Sequence, residues 1–142
     1  MAVGYSTLYG DLAGGFALIK DLYKSKVYEL SNYRNSISEV IPKDIITKEP
    51  SAELRPNQLD TDSLPDYEVL DKILNLYIEQ DSSSEKIIAT GIQPDLVYDV
   101  LEKVDRNEYK RKQVAPGVKL TQKAFGKDRR MPITNTYIRQ KE

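Results

Sequence analysis

Four of the chain's seven glycines fall within its first fifteen residues, at positions 4, 10, 14 and 15. Tyr5, Ser6, Thr7 and Tyr9 stand between them. Glycine permits positive φ and lets backbone approach a ligand closely. The interleaved hydroxyls and rings could then bond it or stack on it. An ordinary loop entering a strand has the same composition. The spacing matches neither G-x-G-x-x-G nor a Walker A loop.

A second concentration lies in residues 103–130, which hold ten Lys and Arg against three Asp and Glu. That local +7 leaves −8 on the rest of a chain whose overall charge is −1. A solvated helix face running into a basic loop would produce this pattern. So would a polyanion site for nucleic acid or a phosphorylated small molecule. Only Tyr109 and Phe125 could stack bases within the stretch, which is thin for a nucleic-acid module.

The chain has no Cys and no His. Thiol chemistry, a disulfide framework, Cys- or His-ligated metal and histidine acid–base catalysis are all excluded from these residues. Chemistry here rests on Asp/Glu, Lys/Arg, hydroxyls and backbone groups. At 142 residues, length fits one domain or a part of one. Hydrophobic residues at 39% and a mean hydropathy of −0.55 are slightly poor for a compact globule, but the chain is too apolar and too near neutral to be wholly disordered. No run of 18 apolar residues is present, so no membrane span is expected, and the first residues lack a signal peptide's basic and apolar regions.

The elements that must position these groups read as mostly helical. The apolar run 16–19 suits a short buried strand. Residues 25–37 carry helical spacing with Ser25 as cap. Residues 38–65 hold Pro42, Pro50, Pro56 and Pro65 and predict a long functional loop with a short turn near 42–46. Val69, Leu70, Ile73, Leu74, Tyr77 and Ile78 predict a helix over 66–80. A short helix is expected at 84–90, capped by Ser84 and stopped by Gly91. Pro94 opens the longest, 94–112, with Leu96, Val97, Val100, Leu101 and Val104 facing a core. That helix would carry Lys110 some ~24 Å along its axis at ~1.5 Å per residue. From 118 onward an extended basic tail with a turn at Gly126 is expected. So little sheet suggests part of something larger, and an exposed apolar face could equally be a partner-docking surface.

Six segments, in order, resemble the C-terminal part of the synthetase domain of glutamine-dependent NAD+ synthetases. They are Ala2–Asp11 with Gly14-Gly15-Phe16, Lys24-Ser25 with Val27-Tyr28, and Pro50–Pro56. Asp60 with Asp62-Ser63-Leu64-Pro65 and Tyr67, then Val104–Arg111, and Ala124–Arg130 with Pro132–Asn135 complete the set. Nearly the whole chain is covered.

The resemblance implies an α/β fold of the adenine-nucleotide alpha-hydrolase-like kind, of which this stretch would be mostly helical with one or two short strands. It implies a carbon–nitrogen ligase, a cytoplasmic homo-oligomer. This enzyme converts deamido-NAD+ to NAD+ with ATP and Mg2+, through an adenylate, using ammonia from a separate glutamine amidase domain. Residue by residue, Tyr5, Ser6, Thr7, Leu8 and Lys110 match deamido-NAD+ positions, and Lys24 and Ser51 match ATP positions. No specific role attaches to Asp11, Asp60, Asp128, Arg129 or Arg130. The Ser-Gly-Gly-x-Asp-Ser loop that cradles pyrophosphate is missing, and the family's metal-binding glutamate and amidase cysteine are not present. Ser25 stands where Thr is commoner. The chain is therefore expected to be a fragment holding one wall of a synthetase site, inactive alone.

Overall fold

The computed structural model describes residues 1–124 and 128–134. In chain order the helices are α1 (Lys24–Ile37), α2 (Lys43–Thr47), α3 (Tyr67–Leu74), α4 (Ser84–Ile88), α5 (Pro94–Arg106) and α6 (Glu108–Lys112). A 3-10 turn spans Asp60–Asp62, and a π turn, Asn75–Glu79, continues directly from α3. Two units are distinguished: Met1–Asp21 with the chain from Lys72 onward, and Leu22–Asp71.

The first unit is organised by α5. Val97, Val100, Leu101 and Val104 recur at helical spacing and are completely buried. Each contributes about 1.5–3 kcal/mol relative to exposure. Ile73, Ile78 and Ile87 are likewise fully buried in this unit, and α4 packs on both α5 and the π turn. Pro94 occupies the first helical position, where its missing N–H costs nothing. The cap of α4 is Ser83, not Ser84: the Ser83 side chain accepts from Lys86 N at 3.4 Å. Gly91 follows α4 at φ +89°, a conformation that favours glycine.

Three expectations need correction here. The 16–19 run is not a strand, and no strand occurs among the described residues. Phe16, Leu18 and Ile19 are more than half exposed. A strand needs a ladder partner for its backbone groups, whereas Ala17 N donates to Pro116 O at 2.8 Å and Lys20 N closes a turn onto Ala17 O. The 66–80 helix changes to π geometry at Asn75. There the Asn75 side chain bonds Glu79 and Gln80 at 3.0 and 2.8 Å. The 94–112 helix breaks at Asn107 (φ −95°, ψ 18°), so Lys110 belongs to the short α6. The expected turn at Gly126 lies outside the described residues.

In the second unit α1 starts at Lys24 after an N-cap at Tyr23, so Ser25 does not cap it. Ser25 N instead donates to the buried Asp71 carboxylate at 2.8 Å, a favourable place for an anion beside a helix start. None of α1 is buried, and Leu30, Tyr33 and Ile37 are exposed. Leu64 and Leu70 are buried here. The long loop contains α2 and the 3-10 turn, and is otherwise irregular. Among the described residues no helix is long and apolar enough to cross a membrane.

Candidate functional site

The glycine-rich start folds back on the corner between α5 and α6. Asn107 Nδ2 donates to Val3 O at 3.0 Å and to Lys103 O at 2.8 Å. Gly4 sits at φ +70°, and a Cβ there would lie 2.0 Å from Asn107 Cγ. Both the backbone conformation and the close approach therefore demand glycine. Lys110 Nζ donates to Gly4 O at 2.6 Å and Ser6 O at 2.9 Å. Arg111 donates to Ala2 O at 2.5 Å and also to Val104 O. Asn107, Lys110 and Arg111, on adjoining positions of the corner, thus hold the backbone of residues 2–6.

Beneath them lies an ion pair, Arg111 to Glu108 at 3.0 Å, with side chains only 3% and 4% exposed. Burial presses the Arg111 guanidinium below its usual value, and Glu108 opposes that shift. The arginine remains charged, so the pair supplies a rigid cationic anchor for the loop.

Beyond Ser6 the loop is closed by Asp11. Its Oδ2 accepts from Thr7 N at 2.8 Å and Thr7 Oγ1 at 3.1 Å. The Thr7 backbone N–H, then its hydroxyl, hold the Asp11 carboxyl below the ordinary 3.8. A depressed folded pKa stabilises the loop fully above the unfolded value and loses that contribution as pH falls through the lower folded value. The Thr7 amide resonance should therefore be constant from neutrality to about pH 4 and shift below it, and Asp11→Asn should abolish that step. A Thr7 resonance indifferent to acid would contradict the closure.

Of the residues expected to line a deamido-NAD+ pocket, Lys110 bonds Ser6 O directly and Gly4 O on the other side of Tyr5. Thr7 bonds Asp11 instead, and no bond joins Leu8 to Lys110 among the described residues. Lys110 pairs with no carboxylate among the described residues, so one ammonium N–H remains beyond its two carbonyl bonds. Ser6 Oγ is buried without a hydrogen-bond partner among the described residues. The cleft of about 220 Å³ in this unit lies elsewhere, between Lys20, Asp21, Arg111, Val114, Gly117 and Ala124, and none of the expected site residues lines it.

In the second unit the Lys24 ammonium lies 5.4 Å from the Tyr28 ring centroid and 5.7 Å from that of Tyr67. It makes no ion pair with a carboxylate among the described residues. Ser51 Oγ donates to Gln58 O and accepts from Glu53 N at 3.1 Å. Ser51 also lines an open depression of about 620 Å³ formed by the 48–59 loop. No hydrogen bond joins Lys24 to Ser51 among the described residues. Nor do three Asp or Glu side chains there converge where a metal ion could sit.

A family model described as NAD synthase matches residues 1–114. The chain belongs to the NAD synthase family. It is 59% identical over 138 residues to a glutamine-dependent NAD(+) synthetase of Aquifex aeolicus, covering 97% of this chain and 24% of that protein. A glutamine-dependent NAD(+) synthetase of Thermotoga maritima is 56% identical, over 96% of this chain and 24% of its own. Among solved structures, the glutamine-dependent NAD+ synthetase of Acinetobacter baumannii in complex with ADP is 50% identical. It covers 92% of this chain and 23% of its own, with a TM-score of 0.49. The chain spans about a quarter of the length of the curated relatives it matches.

Within this chain, several structural groups carried no local sequence pattern that singled them out. Asp21 is buried and accepts from Leu120 N, Thr121 N and Thr121 Oγ1 at 2.7–2.8 Å. Asp105 accepts from the Tyr77 hydroxyl at 2.8 Å and from Arg129 at 3.0 Å, with the guanidinium 4.0 Å from the Tyr77 ring centroid. Asp128 accepts from Lys119 at 2.6 Å and from Ala124 N at 2.9 Å. Asp21, Arg129 and Asp128 thereby hold the basic tail. The Glu108–Arg111 pair was accessible in principle from its i, i+3 spacing, but it was hidden within a run of four charges.

Proposed function

We propose that this chain supplies part of the synthetase site of an enzyme that amidates deamido-NAD+ to NAD+. The nicotinate carboxylate attacks the α-phosphorus of ATP, giving an adenylate and releasing pyrophosphate. Ammonia, delivered from glutamine, then attacks the acyl carbon; the bond to AMP breaks and NAD+ is formed. The observation that carries the reading is the bonding of the Gly4 and Ser6 carbonyls to Lys110, within a chain of this family.

In this reading the loop and Lys110 hold deamido-NAD+. The Lys110 ammonium fixes the loop backbone and offers its remaining N–H to the anionic dinucleotide. Lys24 takes ATP phosphate oxygens; its three donors and unpaired charge suit that task. Ser51 borders the nucleotide from its loop. No three Asp or Glu side chains converge among the described residues, and no step is assigned to Mg2+ here. The α/β architecture, the homo-oligomer and the cytoplasmic setting belong to the same proposal.

A polyanion-binding module fits less well. Seven of the ten basic residues in 103–130 already pair with carboxylates. Those charges are offset by neighbouring carboxylates, which leaves less net positive charge for a nucleic-acid track.

Lys110→Ala in the intact protein is expected to raise the KM for deamido-NAD+ by about 10–100-fold. Loss of charge-assisted bonds costs roughly 1.5–3 kcal/mol. The KM for ATP should change much less. Lys112→Ala is the control, since Lys112 points toward Glu108 at 3.9 Å. Equal, modest losses from both substitutions in steady-state kinetics would show diffuse electrostatics instead of a specific site.

A further inference from the structure

Lys24 is held in an unusual way for a surface-accessible cation. Its ammonium lies near two ring faces, 5.4 Å from the Tyr28 centroid and 5.7 Å from the Tyr67 centroid. No carboxylate among the described residues neutralises it. Attraction to a ring quadrupole orients a cation while leaving its charge and N–H donors available. A salt bridge would restrain the side chain but would compete with an incoming anion.

The ring of Tyr67 is itself anchored. Its hydroxyl donates to Asp60 Oδ2, and Asp60 is only 8% exposed. Asp60 Oδ1 is buried and has no hydrogen-bond partner among the described residues. The Tyr67 hydroxyl is thus the one donor to this buried carboxylate among the described residues. A buried, half-satisfied carboxylate is costly to keep, and its one side-chain bond is to the ring beneath Lys24. The 3-10 turn also fixes Asp60 locally. Its backbone N–H donates to Pro50 O at 2.9 Å, and its carbonyl accepts from Ser63 N and Leu64 N.

We propose that Tyr67, oriented by Asp60, is a positioning residue that holds the Lys24 ammonium ready for the phosphate groups of a nucleotide. Tyr28 provides the second face. This inference rests on the assignment of Lys24 to ATP phosphate and adds what aims that lysine. The signal is a relay of three groups: a buried carboxylate fixes a phenol, the phenol's ring fixes an ammonium, and the ammonium stays unpaired.

The test is a set of substitutions in the intact protein, read as kcat and KM for NAD+ formation. Tyr67→Leu removes the ring and should lower kcat about tenfold, leaving the KM for deamido-NAD+ within about twofold. Tyr67→Phe keeps the ring but removes its bond to Asp60, so kcat should fall about threefold, between the unsubstituted protein and Tyr67→Leu. A Phe variant with unchanged kcat would overturn the part given to Asp60. On a Lys24→Ala background, Tyr67→Leu should produce no further loss, because the cation it positions is gone. An equal loss on both backgrounds would overturn the proposal and make Tyr67 merely structural. If Lys24→Ala itself left kcat unchanged, the ATP assignment would fall and this inference with it. Should Tyr67→Leu fail to fold, the unsubstituted protein decides by NMR. The Lys24 ε-methylene resonances should be shifted upfield by the two rings, and ordinary lysine positions would overturn the proposal.

Discussion

Arg111→Ala is expected to lower the free energy of unfolding by about 3–5 kcal/mol, because it leaves the buried Glu108 carboxylate without its partner. The effect is large since the guanidinium has three other tasks. It bonds Ala2 O, bonds Val104 O at the end of α5, and fills space at the α5–α6 corner. Glu108→Ala should cost a similar amount for the converse reason. The informative control is a double replacement by apolar residues of similar volume, Glu108→Leu with Arg111→Met. Removing both charges should restore much of the loss, because desolvation of an unpaired ion is the main penalty. Denaturant midpoints at fixed m-value measure all three. An Arg111→Ala loss below about 1 kcal/mol would mean that the pair behaves as a solvent-exposed one. The loop would then lack the rigid anchor described for it.

Lys24→Ala in the intact protein should lower kcat about 100-fold or more while changing the KM for deamido-NAD+ little. A cation that meets charge developing on a departing pyrophosphate stabilises the transition state more than the ground state. Its removal therefore appears in kcat and kcat/KM together. The contrast with Lys110 is the useful part. The two lysines lie in separate units of the chain, and the proposed roles separate in the kinetics, one in rate and one in substrate affinity. Equal effects of both substitutions on every kinetic parameter would remove the basis for distinct roles.

How far these groups could be read from sequence depends on what fixes them. The helices around Val97, Val100, Leu101 and Val104, and around Ile73 and Leu74, follow from apolar spacing, which the buried residues reproduce. Their interruptions do not. Asn107 breaks the long helix because its amide reaches Val3, more than a hundred residues away, and periodicity carries no record of such a contact. The π turn at Asn75 likewise depends on side-chain bonds to Glu79 and Gln80. The apolar run at Phe16–Ile19 suggested a strand, yet a strand is a property of two segments, and its neighbour here is the irregular stretch at Pro116.

The candidate site was legible in a different way. Glycine at position 4 was visible, but its reason was not: the close approach of Asn107 exists only in three dimensions. The basic cluster was visible as charge, whereas most of that charge is engaged in ion pairs within the fold. Lys24, Ser51 and Lys110 stood out through family resemblance rather than through local physics. A lone lysine after a polar loop has no pattern of its own. The rings that flank Lys24 come from Tyr28, one helical turn away, and from Tyr67, which only tertiary structure brings near.

The most direct measurement of the central claim is the product balance of the intact protein given deamido-NAD+, ATP, Mg2+ and glutamine or ammonium. An adenylate route predicts that NAD+, AMP and pyrophosphate appear in equal amounts, and that Lys24→Ala slows all three together. Formation of ADP and phosphate in place of AMP and pyrophosphate, or ATP turnover without NAD+, would contradict the account.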